Sequence, residues 1–242
     1  MLLMQPARYH RMFSRLMPVA LTACTAVSPS LPSATFIVSE TQFRQMFPDP
    51  NPFYSYRDLV IAITAFPEFA NTGSDTQKKQ EAVAFLANVA HETRDLQYIR
   101  EIDQANWPHY CDQANTQYPC APGRQYYGRG PIQISWNFNY GAAGKSFGVD
   151  LLNDPDRVAR DAAVAWKTAL WYWMTQRGSA NATPHQSMLT SAGFGDTIRA
   201  INGSLECGVT GLGHEQMKSR VVYYRRFSAL LGVPPGDGRV TC

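Results

Sequence analysis

No stretch of this sequence approaches the roughly 20 consecutive apolar residues that a membrane-spanning helix needs, so no spanning helix is expected. Charge of one sign is lacking as well. The 22 Lys and Arg stand against 19 Asp and Glu, and Arg8, Arg11 and Arg15 fall at the very start, which leaves the rest near neutral. That balance excludes a surface built to track phosphates, so no nucleic-acid partner is expected. There is no G-x-G-x-x-G, no C-x-x-C pair, and the HETRD at 91–95 lacks the second histidine of H-E-x-x-H. Dinucleotide binding and zinc chemistry therefore have no carrier, and no metal is expected. With 45% hydrophobic and only 17% charged residues over 242 positions, the composition is that of an ordinary folded protein with one sizeable core.

Residues 1–24 combine scattered arginines with a short apolar stretch, Leu16–Ala23, and end in LTAC, the pattern of an export signal. LTAC is similar to the bacterial lipobox, whose cysteine becomes a lipid anchor. Pro18 interrupts the apolar core, and loss of Cys24 with a cleaved peptide is the alternative. Secreted or periplasmic location is expected, with or without a lipid tether at Cys24. Residues 25–35, containing SPSLPSA, read as a Ser/Pro-rich linker, and a single domain over 36–242, a monomer, should follow. Apart from Cys24 there are four cysteines, an even number that suits an oxidising compartment. Of the three pairings, Cys111–Cys120 and Cys207–Cys242 are expected, because the first closes a short loop and the second pins the last residue.

The fold class read from periodicity is mainly α. Ser39 to Gln42 has the form of a capping box opening a short helix that Pro48 stops, and helical patterns follow at about 55–66, 75–93, 156–175, 186–202 and 214–231. Residues 95–140 are rich in Gly, Pro, Asn and aromatics without a sustained 3.6 period, and predict loops and short strands. A long irregular stretch inside a helical domain needs partners for its backbone groups and is usually functional.

Two glutamates border or occupy it. On the 75–93 helix, Glu92 continues the stripe of Phe85 and Val89, so its carboxylate should point inward and, partly desolvated, hold its proton more tightly. A structural ion pair with a buried arginine is the competing reading of the same placement. Glu101, nine positions on, can face Glu92 across a cleft if the chain turns near Arg94 and Asp95; spacing alone leaves Asp95 and Asp103 as rivals. A carboxylic acid facing a carboxylate is the minimum equipment for splitting a glycosidic bond. In the run from Gly128 to Tyr140, Gln133, Ser135, Asn137 and Asn139 alternate with Ile134, Trp136, Phe138 and Tyr140, so an extended chain would put its polar groups on one face. Trp107, Tyr110, Tyr118, Tyr126 and Tyr127 crowd the same region and could stack on sugar rings, whereas Trp166, Trp171, Tyr172 and Trp173 read as helix packing.

AFLANVAHET, YYGRGPIQISWNFNYGAAG, AWKTALWYW and INGSLECG together resemble the family 19 glycoside hydrolases, the plant-type chitinases and their bacterial relatives, from about Phe36 to Cys242. The resemblance implies a two-lobed, lysozyme-like fold and an endo-acting, inverting, cofactor-free cleavage of β-1,4-linked N-acetylglucosamine polymers. It implies that Glu92 is the general acid, that Glu101 is the base and that Ser135 helps hold the attacking water. It further implies that Gln133, Asn139, Asn202, Tyr118 and Lys167 contact substrate, and that Glu206 and Arg220 orient the acid. Two departures stand out. Arg94 and Asp95 follow HET where the family often has glycine, and Phe138 stands where plant members commonly have tyrosine. A peptidoglycan-cleaving hydrolase and a non-catalytic chitin-binding protein are the alternatives.

Overall fold

A computed structural model describes residues 36–242; the expected leader, Cys24 and the linker lie outside the described residues. The chain forms eight α-helices there: α1 (Glu40–Met46), α2 (Tyr56–Ile63), α3 (Asp75–Thr93), α4 (Asn137–Ser146), α5 (Ala162–Thr175), α6 (Pro184–Leu189), α7 (Phe194–Glu206) and α8 (Leu212–Leu231). Ser39 and Gln42 close the expected capping box on α1, and Ser74 and Gln77 form a second on α3. Among the described residues the β content is two isolated bridges, Arg100 to Arg129 and Arg129 to Ile134.

The centre of the core is α3, packed mainly on α8 and also on α6 and α7. It is buried on almost every side from Gln80 to Ala90, so polar residues on it must find partners inside. Glu81 does so with Trp173 Nε1 at 2.9 Å, His185 Nδ1 at 2.7 Å and the Ala70 N–H at 3.0 Å. Phe85 meets Phe69 and Trp173 edge-on, and Trp166 is packed against Phe43 and Tyr54, so Trp166 and Trp173 are core as read.

Three expectations need correction. The 156–175 pattern is a 3₁₀ turn at Pro155–Ala159 followed by α5, because Asp161 caps a fresh start by accepting from the Val164 N–H. The 186–202 pattern is α6 and α7, separated at Gly193, whose φ of 74° no helix continues. The run Gln133–Tyr140 is not extended. Gln133 (φ 51°) and Trp136 (φ 77°) turn the chain, and α4 begins at Asn137, which is buried and holds the Asp112 and Tyr118 backbone with its amide. The helix hid behind its glycines. A Cβ at Gly141 would strike the Tyr118 ring at 2.3 Å and one at Gly144 the Val149 carbonyl at 2.3 Å, so small residues are a packing requirement rather than a stop signal.

Both expected disulfides are formed, Cys111–Cys120 and Cys207–Cys242. The second joins the end of α7 to the C-terminal tail, which also caps the start of α7 through the Gly195 N–H to Arg239 O bond at 2.8 Å. A clamp at both ends fixes the helix that carries Asn202 and Glu206, and closing a loop of this size stabilises by on the order of 2–4 kcal/mol.

Candidate active site

The expected turn after Glu92 exists and has an unusual construction. Arg94, Asp95 and Leu96 all carry positive φ, at 50°, 56° and 63°, a conformation costing non-glycine residues of order 1–3 kcal/mol. Local bonds hold it. Thr93 Oγ1 donates to Val89 O and accepts from the Leu96 N–H, Leu96 is fully buried, and Asp95 accepts from Tyr223 Oη at 2.7 Å and Arg226 Nη2 at 3.1 Å on α8. The chain leaves this turn as Ile99–Glu101, paired beside Gly128–Gly130 through Glu101 N–H to Gly128 O and Gly130 N–H to Ile99 O, both 2.8 Å. Asp95 is thereby committed to α8. Asp103 caps the 3₁₀ turn Gln104–His109, accepting from the Ala105 N–H, so both rival carboxylates have structural partners.

Glu92 sits at the end of α3 with its side chain 18% exposed, a carboxyl open only at its rim. Its partner is Arg220 of α8, fully buried, which donates to four oxygens. Nε and Nη2 fork onto Glu206 at 2.8 and 2.7 Å, Nη1 reaches Asn88 Oδ1 at 3.1 Å, and Nη2 reaches Glu92 Oε1 at 2.5 Å. Asn202, at a non-helical φ of −144° inside α7, donates to Glu206 at 2.8 Å. The ion-pair reading and the inward-carboxyl reading thus coexist at one residue. What separates the two glutamates is how one cation is shared. Burial works against ionisation of both, yet the forked Arg220 contact and the Asn202 bond hold Glu206 below the usual carboxylate range. Burial raises Glu92 above its ordinary value against the pull of Arg220, and the Glu206 charge adds to the rise. A second cation is withheld, since burial and the Arg220 charge push His91 down to about 3 and keep it neutral. The two carboxyl groups are thus shifted in opposite directions, Glu92 upward and Glu206 downward.

Glu101 lies in different surroundings. Its Oε1 accepts from Tyr110 Oη at 2.8 Å, its Oε2 from the Gly128 N–H at 3.4 Å, and its own carbonyl accepts from Trp107 Nε1 at 3.1 Å. Burial and the Glu101 contact raise the Tyr110 phenol, which stays a donor. These hydrogen bonds fix the direction of the Glu101 carboxylate.

The residues singled out in the sequence fall into two bonded groups. Glu92, Arg220, Glu206 and Asn202 form one. Around Glu101 the second gathers: Gln133 packs under Gly128, where any Cβ would lie 2.9 Å from Gln133 Oε1, and its amide donates to Gly130 O. Ser135 Oγ donates to Gln133 O at 3.0 Å, and Asn139 donates to Ser135 O at 3.0 Å. Lys167 is half-buried on α5 and makes no hydrogen bond or ion pair among the described residues. Tyr118 lines a separate groove of about 320 Å³ between α4 and residues 148–152, whose lining includes neither glutamate. Tyr126 is buried against Tyr140, and Tyr127 is buried with its ring stacked on Trp107 at 3.9 Å, so neither tyrosine ring is exposed to sugar. Asn88 and His91 were missed, and Tyr110, read as a stacking aromatic, acts through its hydroxyl on Glu101. Asn88 was findable as a lone amide one turn before Glu92 in an apolar stripe; nothing in the sequence placed the Tyr110 hydroxyl. Tyr172, read as packing, borders Glu92, and burial together with that carboxyl raises its phenol to about 12.

Residues 37–242 match the model of the class I chitinases of glycoside hydrolase family 19. The chain belongs to that family. It is 50% identical over 190 residues to endochitinase B of Zea mays, covering 78% of this chain and 63% of the maize protein; the chain thus spans under two thirds of the length of that relative. Among solved structures it is similar to chitinase C of Streptomyces griseus, with TM-score 0.81 and 53% identity over 86% of this chain and 98% of that one. A bacterial family 19 chitinase gives TM-score 0.80 at 59% identity, covering 86% of this chain and all of the other. The mainly helical, lysozyme-like fold expected from the sequence is therefore the fold of family 19 chitinases.

Proposed function

We propose that this family 19 member is an exported, endo-acting chitinase that hydrolyses β-1,4-linked N-acetylglucosamine polymers with inversion. Glu92 protonates the glycosidic oxygen, and Glu101 takes a proton from a water attacking the opposite face of the anomeric carbon, with Ser135 helping to hold that water. Their carboxyl groups then stand about 6.5–9.5 Å apart around the bound sugar and water. Gln133, Asn139, Asn202, Tyr118 and Lys167 contact sugar. Arg220 and Glu206 touch no substrate and keep the acid aimed. The observation that carries this reading is the unequal division of one buried guanidinium, which forks onto Glu206 and gives Glu92 a single bond, at the end of the helix that leads to Glu101. Among the described residues no helix is long and apolar enough to cross a membrane.

The test of substrate class is product analysis from the N-acetylglucosamine hexamer beside intact bacterial cell walls. Internal cleavage of the hexamer is the expected result. Release from walls with none from the hexamer would move the assignment to peptidoglycan.

Tyr110 gives a finer check of the base. Tyr110→Phe removes the hydroxyl that donates to Glu101 at 2.8 Å. A hydrogen bond to a charged group is worth about 1.5–3 kcal/mol, so kcat on the hexamer should fall about tenfold or more. Because the lost group aims the base rather than gripping sugar, KM should stay near its original value, as steady-state kinetics would register.

A further inference from the structure

Trp136 breaks two local rules at once. It occupies the N-cap position of α4, where Ser, Thr, Asp or Asn would normally satisfy a free N–H, and it supplies no capping bond. It also sits at φ 77° and ψ 138°, a region that side chains other than glycine's hydrogen seldom enter. Strain of this kind persists only where surrounding structure imposes it, and here the backbone is fixed on both sides: the Trp136 N–H donates to Tyr126 O at 2.8 Å, and Trp136 O accepts from the Tyr140 N–H at 3.1 Å. The outcome is an exposed indole, 38% accessible, held on a rigid frame. Violations of local preference without a structural return are expected at sites of function.

The ring stands beside the candidate base. Trp136 meets Tyr110 edge to face at 5.6 Å and 81°, and Tyr110 holds Glu101. On its other side it runs parallel to Phe138 at 6.0 Å and 16°. Ile102, next to Glu101, is 60% exposed. Rings therefore run from Tyr110, which holds the carboxylate, through Trp136 to Phe138, and the Trp136 indole N–H has no hydrogen-bond partner among the described residues. Trp107 offers a contrast, its face covered by Tyr127 and its N–H donated to Glu101 O.

We infer that Trp136 is a substrate-stacking platform: its exposed face receives the apolar face of the N-acetylglucosamine unit that lies on the Glu101 side of the scissile bond, with the indole N–H free for a hydroxyl or acetamido oxygen. This rests on the chitinase reading. Aromatic faces pair with apolar ring faces, and a pre-positioned side chain binds without an ordering cost.

The experiment uses the full chain and the N-acetylglucosamine hexamer. Trp136→Ala and Trp136→Gly should raise KM about tenfold with kcat within about threefold of the original, while Trp136→Phe restores most of the affinity. Trp136→Gly also relieves the backbone, so its Tm should equal or exceed that of the unmodified chain, the opposite of what a merely structural tryptophan gives. In a Glu92→Gln background, the hexamer should change the indole fluorescence, and part of that change should vanish with Trp136→Phe. KM values within twofold of the original in both small variants, or a Trp136→Gly chain that loses stability along with kcat, would overturn the inference. An unmodified chain that neither binds nor cleaves the hexamer would instead overturn the chitinase reading beneath it.

Discussion

Glu92→Gln should lower kcat on the N-acetylglucosamine hexamer by about 10²–10⁴-fold, the range that a positioned general acid supplies, and leave hexamer affinity largely intact. The reasoning is local. An amide keeps the shape of the carboxyl and can still occupy the rim of the buried cluster, but it has no proton to give. The amide oxygen can still accept from Arg220 Nη2, and Arg220 retains its fork onto Glu206 and its bond to Asn88, so the fold should persist. Single-turnover rates and calorimetric binding on the same preparation separate the two effects. Turnover close to that of the unmodified chain would remove Glu92 from the acid role.

Arg220→Met should cause the largest loss of stability. Removing the guanidinium strands two carboxyl groups inside the protein, Glu206 almost completely buried, and breaking a buried pair by deleting one partner costs about 3–5 kcal/mol. The pH dependence follows from Glu206. Its pKa is held below the ordinary carboxylate value in the intact protein, so the stabilisation it contributes is fully present above that value and is lost as pH falls through the lowered folded value. Arg220→Met never has this contribution, and its deficit should be widest near pH 7 and narrow as the pH drops below about 4.5. Urea midpoints at several pH values would reveal the pattern; a deficit that grew in acid would contradict the shared-cation account. Activity should fall as well, because Glu92 loses the group that orients it.

How far the sequence foretold this architecture depends on the kind of signal. Long helices, α3 and α8 above all, were legible because their apolar residues recur near a 3.6-residue period over many turns. So was the inward direction of Glu92, since a carboxylate that continues such a stripe at the end of its helix is aimed at buried partners. The Gln133–Tyr140 run was misread. Its alternation of polar and apolar residues mimics a strand, while the real determinants are two residues held at positive φ and an asparagine, Asn137, that bonds backbone more than twenty positions away in the chain on one side. Long-range bonds of that sort leave no periodic trace. The turn Arg94–Leu96 was foreseen as a place but not as a conformation, because its three left-handed residues are paid for by contacts with α8 that only the folded chain brings near. Tyr110 was legible as an aromatic in the loop region, and its hydroxyl's task was not.

The central claim is that Glu101 activates water on the face opposite the departing sugar while Glu92 protonates the bond. Proton NMR of the hexamer digest, recorded within the first minutes before the new reducing end equilibrates, tests it most directly. The account predicts that the fresh reducing end is the α-anomer. The β-anomer as first product would contradict it, because retention requires an attacking nucleophile where this mechanism places a water.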